Sequence, residues 1–222
     1  MDKLVRKIEV PLAKNAVKKA GLYLVPKERL EELADVAMDA YLDYPLHNWL
    51  SGGTYDPKTS RMLMEVSLKT MTEDAVIYAD SEELNGFAAW FPLGFTGNKT
   101  IPFLTNGGMG LILHAGPGII GRLLTYEMLA MELKKRYTDH VDWYLFNLSV
   151  SRKAQGRGIA SKLLRPMLEF CDRENMVSYL ETNKESNVHM YQHYGFQLAE
   201  QKLIPKSSVM HYAMTREPIP VK

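Results

Sequence analysis

Apolar positions recur at helical spacing early in the chain. Behind Pro26, residues Leu30, Leu33, Val36, Ala37 and Ala40 mark a helix over 28–41. Residues 58–72 predict a second helix, with Met62, Leu63, Val66 and Thr70 along one side. The period then shortens. Segments 75–79 and 86–91 are short apolar runs around a polar turn at 80–85, a hairpin signal. Residues 119–137 return to helical spacing, with Ile120, Leu123, Leu124, Met128 and Met131 as the expected inward side. Residues 143–150 are a strongly apolar strand. A helix over 158–173 follows, with Leu163, Leu164, Met167, Leu168 and Cys171 facing the core and Pro166 a candidate kink. Residues 177–181 predict a strand, and 187–193 a short helix stopped at Tyr194-Gly195. Residues 196–203 and 209–215 predict a terminal strand pair.

Three stretches lack a clear period. Residues 4–10 read as a short strand, broken by Pro11, with a short basic helix over 12–20 ending at Gly21. Residues 47–57 read as a loop. Residues 92–117 are glycine-rich and read as a long loop with room for a short helix. The order of elements implies an α/β (α+β) fold, a single mixed sheet covered by helices on both faces.

Size and charge narrow the function. A chain of 222 residues suits one domain. The net charge of +1 gives no bulk argument for nucleic acid or membrane as partner. The single cysteine, Cys171, excludes an intrachain disulfide and a multi-cysteine metal site, and fits a reducing, cytoplasmic setting. The start lacks the apolar core of a signal peptide, and no apolar run reaches about 18 residues, so no membrane span is expected.

The chemistry concentrates in residues 152–160, Arg-Lys-Ala-Gln-Gly-Arg-Gly-Ile-Ala, between an apolar strand and an amphipathic helix. A tight glycine turn before a helix N-terminus presents several backbone N–H groups to an anionic phosphate. Gly156 and Gly158 carry no side chain to obstruct a ligand. The alternative is a helix-capping turn without a ligand. The loop comes late in the chain and lacks the three glycines of the dinucleotide fingerprint.

Gln155, Gly158 and Ala160, with Gly156 and Arg157 between the first two, resemble the signature of the GNAT-type N-acetyltransferase superfamily. Three flanking segments extend the resemblance. Leu148-Ser149-Val150 occupies the strand that splays in the family, and its backbone is implied to pair with the pantetheine arm of acetyl-CoA. Leu180-Glu181-Thr182 ends the next strand, and Asn187 is implied to hold the pantetheine or substrate side. Residues 190–196 are similar to the family's Tyr-x-x-x-Gly-Phe ending, which implies Tyr191 as general acid toward the CoA sulfur. The resemblance is specific over 143–215 and general from 26 onward, and the whole chain looks closest to puromycin N-acetyltransferase-like members. It implies an acyl-CoA N-acyltransferase fold over 26–217, with a mostly antiparallel sheet of six or seven strands. Residues 1–25 form an N-terminal extension and 218–222 a tail.

The implied cosubstrate is acetyl-CoA, held by Leu148, Ser149, Val150, Gln155, Gly156, Arg157, Gly158, Ile159, Ala160 and Asn187. The implied partner is a small-molecule amine, and the chain a monomer or homodimer. The alternatives are a protein or peptide acceptor, and a non-catalytic acyl-CoA sensor. Direct transfer needs a neutral amine, a polarised carbonyl and a protonated leaving thiolate. Glu181, at a strand end, is the candidate base if burial raises its pKa; a structural hydrogen bond is the alternative, and many relatives use water instead. Asp80, Glu82 and Glu83 read as a solvated turn. Arg152, Lys153 and Arg157 are candidates for the CoA phosphates or a solvated basic turn. His189 and His193 stand four apart but lack further ligands, so no metal is expected. Cys171 reads as packed. Trp49, Tyr55, Trp90, Phe91 and Phe95 are candidates to line the acceptor pocket, and the first helices with 93–117 are expected to cover it.

Overall fold

Side chains that alternate along the strands divide the core between the two faces of one sheet. Val76, Tyr78, Ala88, Trp90, Leu145 and Leu180 face one way. Ile77, Ala79, Phe87, Ala89, Tyr144 and Tyr179 face the other. Both sets are buried because helices cover both faces. The computed structural model describes residues 3–42, 44–71, 75–92, 100–137 and 141–220.

The strands are β1 (Tyr23–Leu24), β2 (Val76–Ala79), β3 (Gly86–Pro92), β4 (Trp143–Val150), β5 (Ser178–Thr182), β6 (Gln197–Leu203) and β7 (Met210–Arg216). They form one sheet in the order β1-β2-β3-β4-β5-β7-β6. All pairs are antiparallel except β4 with β5. The expected fold class is therefore the observed one.

The helices are α1 (Lys3–Lys19), α2 (Leu30–Ala40), α3 (Pro45–Leu50), α4 (Pro57–Met71), α5 (Thr100–Phe103), α6 (Met109–Ala115), α7 (Gly118–Tyr137), α8 (Ile159–Arg173) and α9 (Glu185–Gln192). Residues of α1, α8 and α9 pack on the first face. Those of α2, α4 and α7 pack on the second. The inward side expected for α8 is buried as read, Cys171 included.

Three expectations fail, each for a local reason. The strand expected over 4–10 is helix: α1 runs through Pro11, which forfeits one backbone hydrogen bond. The loop expected over 47–57 starts late, because Pro45 at the first turn of α3 presets helical φ and the chain stays helical to Leu50. The inward side of α7 is misjudged. Ile119, Leu129, Ala130 and Leu133 are buried, whereas Leu124, Met128 and Met131 are 58, 67 and 58 % exposed. Apolar residues line two sides of this helix. The inward side also carries Arg122 and Tyr126, which disguise it as the polar one.

In the β2–β3 turn, Glu82 and Glu83 are exposed as the solvated-turn reading expects, but Asp80 is not. Asp80 is buried, and its carboxylate accepts from the Gly86 N–H at 3.0 Å and from Asn85 Nδ2 at 3.2 Å. Lys162 of α8 donates to the Asp80 carbonyl at 2.8 Å. Gly86 has no room for a side chain, since a Cβ would come within 2.9 Å of the Ser149 carbonyl oxygen. The hairpin is thereby clamped against the end of β4.

Candidate active site

β4 pairs with β5 over only three positions, Trp143 with Ser178, Tyr144 with Tyr179 and Leu145 with Leu180. Beyond Leu145 the two strands part. β4 keeps its ladder with β3 as far as Val150, and β5 keeps its ladder with β7 as far as Thr182. The parting coincides with a bulge. Ala89 and Trp90 of β3 oppose Asn147 and Leu145, so Phe146 is the extra residue. A bulge bends its strand and increases local twist. The β4 edge from Phe146 to Val150 therefore lies open toward β5, with Leu148, Ser149 and Val150 upon it.

The loop continues directly from this open edge. A 3₁₀ turn over Arg152–Ala154 leads to Gln155, whose side-chain amide donates to the Val150 carbonyl at 3.1 Å. Gly156 and Gly158 have φ of 75° and 77°. Both are left-handed positions that an L side chain resists. Gly158 caps α8, and the first α8-side amide bonded back is Lys162 N–H to the Gly158 carbonyl, at 3.0 Å. The amides of the preceding first turn, Ile159, Ala160 and Ser161, have no acceptor one turn earlier within the helix. Gln155, Gly156, Arg157 and Gly158 are exposed, as are Arg152 and Lys153. Arg152 is committed elsewhere: its backbone N–H donates to Asp39 Oδ2 at 2.6 Å, with its guanidinium 3.5 Å from Oδ1. The loop thus leads into the positive end of a 15-residue helix whose first-turn amides lack an acceptor within the helix.

Opposite the split stands a set of buried polar side chains from distant parts of the chain. On β4, Ser149 Oγ donates to Asn147 Oδ1 at 2.9 Å, and Asn147 Nδ2 donates to the Tyr41 hydroxyl at 2.9 Å. Tyr44 takes the N–H of Asn183 on its hydroxyl at 2.8 Å and shares a 3.0 Å hydrogen bond with Thr182 Oγ1. Asn187, in the first turn of α9, donates to the same Thr182 oxygen at 3.2 Å. The Tyr41 and His47 rings stack at 5.3 Å, and Tyr126 of α7 meets His211 edge-on at 5.6 Å. Among the described residues, His47 Nδ1 is buried without a hydrogen-bond partner, whereas His211 Nε2 faces the Glu181 carboxylate. Burial lowers the His47 pKa to about 4, so its ring is neutral near pH 7.

Glu181 sits within this set, and its side chain is 3 % exposed. The Tyr144 hydroxyl donates to Oε2 at 3.0 Å and the Tyr179 hydroxyl to Oε1 at 2.9 Å. Lys134 Nζ lies 3.8 Å from Oε2, and His211 Nε2 lies 3.6 Å from Oε1. Burial by itself pushes this carboxyl up, but the Lys134 ammonium, His211 and the Tyr179 hydroxyl outweigh it and hold the pKa at about 2. The expected upward shift is thus reversed. Glu181 is a fixed anion at neutral pH, and a carboxylate of that pKa is a weak proton acceptor.

Tyr191 of α9 is buried, with its ring 5.8 Å from Phe196. Burial, reinforced by Tyr41 and Tyr44, raises its pKa well above the ordinary phenol value, so the hydroxyl keeps its proton. Gly195, with φ 88°, ends the helix and turns the chain into β6.

Other candidates lie elsewhere. Trp90 is fully buried beneath α8 with its indole N–H on the Tyr78 hydroxyl at 3.1 Å, so it is core and not pocket. Phe91 packs edge-on against Phe146 at 5.4 Å. Phe95 falls outside the described residues. Cys171 is buried and its thiol is pushed up to about 12, as suits a packed side chain. His189 and His193 are exposed. Among the described residues, no three His, Cys, Asp or Glu side chains converge as a metal site, and no helix is long and apolar enough to cross a membrane.

Residues 119–198 match the family model for the acetyltransferase (GNAT) domain. A Corynebacterium glutamicum structure, described as histone acetyltransferase HPA2 and related acetyltransferase, superposes with a TM-score of 0.60. The likeness covers 90 % of this chain and 97 % of that one at 20 % identity. The fold is that of the GNAT acetyltransferases. An N-acetyltransferase structure from Staphylococcus aureus Mu50 superposes at 0.57, with 16 % identity over 87 % of this chain and 98 % of that one. An uncharacterised N-acetyltransferase of Schizosaccharomyces pombe is 40 % identical over 65 residues, 29 % of this chain. That stretch spans 26 % of the yeast protein. These likenesses support the GNAT acetyltransferase fold and give the puromycin-acetyltransferase branch no specific support.

Proposed function

We propose that this protein is an N-acetyltransferase that moves an acetyl group from acetyl-CoA directly to the primary amine of a small molecule. The observation that carries this reading is the continuity of the open β4 edge with the glycine loop. One strand edge and one row of amides make a single track, long enough for an arm that ends in a diphosphate. The loop amides of 155–160 hold the diphosphate, assisted by Arg157. Leu148, Ser149 and Val150 offer backbone groups to the pantetheine, and an amide there polarises the thioester carbonyl. Asn187 lies beside that arm.

The amine nitrogen attacks the carbonyl carbon, forming a C–N bond as the C–S bond breaks. Tyr191, kept protonated by burial, gives its proton to the departing sulfur and is recharged by the proton the nitrogen sheds. Glu181 stabilises the positive charge that builds on the nitrogen, a role suited to a carboxylate that stays ionised. The unpartnered Nδ1 of His47 is a site for the incoming amine or its water. The products are the acetamide and CoA, and holding both reactants together supplies much of the rate.

Calorimetric titration with acetyl-CoA, with CoA as the paired control, tests the reading. Saturable binding is expected, and it should vanish when 155–160 is replaced by a glycine-free turn of equal length in a protein that still unfolds cooperatively. A well-folded wild-type protein that binds neither ligand would overturn the reading.

A further inference from the structure

One side of α7 leaves the core and borders an open cavity of about 310 Å³. Its walls are Gly118, Gly121, Arg122 and Thr125 of α7, Trp49 of α3 and Lys206 of the β6–β7 turn. Two of the six are cations. Arg122 is held in place: its Nε–H donates to the Leu50 carbonyl at 2.8 Å. Its terminal nitrogens run beside two glycines, since a Cβ on Gly118 would lie 3.2 Å from Nη1 and a Cβ on Gly52 3.6 Å from Nη2. The guanidinium is therefore anchored through Nε with its Nη1 and Nη2 fork ungripped. Among the described residues, no carboxylate pairs with Arg122 or Lys206. Lys206 is held at the rim by its own backbone, whose carbonyl accepts from the Trp49 indole N–H at 3.3 Å.

An anchored, unpaired guanidinium fork is a carboxylate receptor. The second cation adds charge of the same sign, and the Trp49 ring adds a flat apolar wall. The cavity is walled by α3 and α7, the same two helices that carry His47 and Tyr126 of the buried polar set around Glu181. Thr125 on its wall precedes Tyr126, which packs on His211, and Trp49 is two residues from His47, which stacks on Tyr41. Arg122 and Tyr126 are four residues apart, just over one helical turn and about 6 Å along the axis.

We infer that this cavity selects acceptors that carry a carboxylate at the end remote from the reacting amine, separated from it by a flat or apolar spacer. This inference rests on the acetyltransferase reading and names its acceptor class. The amine enters among Tyr126, His211 and Glu181, the spacer lies along Trp49, and the carboxylate meets the Arg122 fork with Lys206 at the rim. The cationic cavity takes the anionic end of the acceptor, while the amine at the other end must be uncharged to react.

The test is a matched pair, 4-(aminomethyl)benzoate and 4-(aminomethyl)benzamide, titrated calorimetrically into protein saturated with CoA. The benzoate should bind at least about tenfold tighter, as expected for one charge-assisted pair. The preference should fall several-fold in Lys206→Ser and collapse in Arg122→Met. Lys206→Ser guards against misfolding in Arg122→Met, because the Lys206 side chain is exposed. Equal binding of the pair, binding of neither, or a preference that survives both substitutions overturns the inference. Absence of acetyl-CoA binding in the same wild-type preparation would instead overturn the acetyltransferase reading.

Discussion

The proposed donor track and the proposed acceptor chamber are built from different material. The track is almost wholly backbone: an open strand edge, two left-handed glycines and the first amides of α8. The chamber is mostly side chain, gathered from Tyr41 to His211 and crosslinked by hydroxyls, amides and the Lys134–Glu181 ion pair. A backbone site depends on φ, and tolerates any side chain that leaves φ alone. A side-chain site depends on charge and protonation, and is exposed to pH. The two halves should therefore fail under different insults.

In the proposed mechanism Tyr191 gives the departing sulfur its proton, so its removal should have the largest effect. Tyr191→Phe should lower kcat by about 10²-fold or more, the usual worth of a positioned acid, while the acetyl-CoA dissociation constant moves less than about threefold. Steady-state kinetics beside calorimetry separate the two numbers. A loss shared equally by kcat and binding would place Tyr191 in the track and not at the chemistry.

The chamber should be acid-labile in two windows. His47 has a folded pKa of about 4 against an ordinary 6.5. Protonation is thus resisted in the folded state, and stability is lost as pH falls from about 6.5 toward 4. Glu181, at about 2 against 4.5, contributes stability that is present above 4.5 and lost as pH falls through about 2. Each shift corresponds to about 3 kcal/mol. Urea denaturation across pH 7 to 2 should show both slopes. Glu181→Gln should flatten only the lower window and His47→Phe only the upper. A pH-independent wild type would mean that neither group differs between its folded and unfolded states.

The same contrast of materials decides what could be read from the chain. A backbone site leaves a contiguous mark, because one short turn must supply the glycines, the cap and the amides in order. Residues 148–160 carry that mark whole. The chamber leaves no such contiguous mark: Thr182 and Asn187 fall in motif segments, but Tyr44, just ahead of α3, meets them only after β5 and α9 have packed. One local clue existed. Asn147 and Ser149 stand two apart in an otherwise apolar strand, hence on one face, and a buried polar pair on a strand needs partners. The shift of Glu181 was beyond local reading, since its direction depends on Lys134, 47 positions earlier, and on His211. The sidedness of α7 misled because polar Arg122 and Tyr126 point inward to line the cavity and chamber. Binary patterning takes such residues for a solvent face.

Gly158 gives the smallest effect and the sharpest test of a backbone-built track. Its φ of 77° is left-handed, yet a Cβ placed there meets nothing within 4 Å. Space is therefore not the constraint, and any penalty must come through φ alone. Gly158→Ala should cost about 1 kcal/mol of stability and weaken acetyl-CoA by a similar factor, because the loop relaxes away from the left-handed turn. Gly158→Asn carries a larger side chain but tolerates that conformation better, so it should be the milder substitution of the two. Thermal unfolding and calorimetry on the two variants give the order directly. If asparagine proves worse than alanine, bulk and not φ governs the loop, and the track is not the backbone device that its two glycines imply.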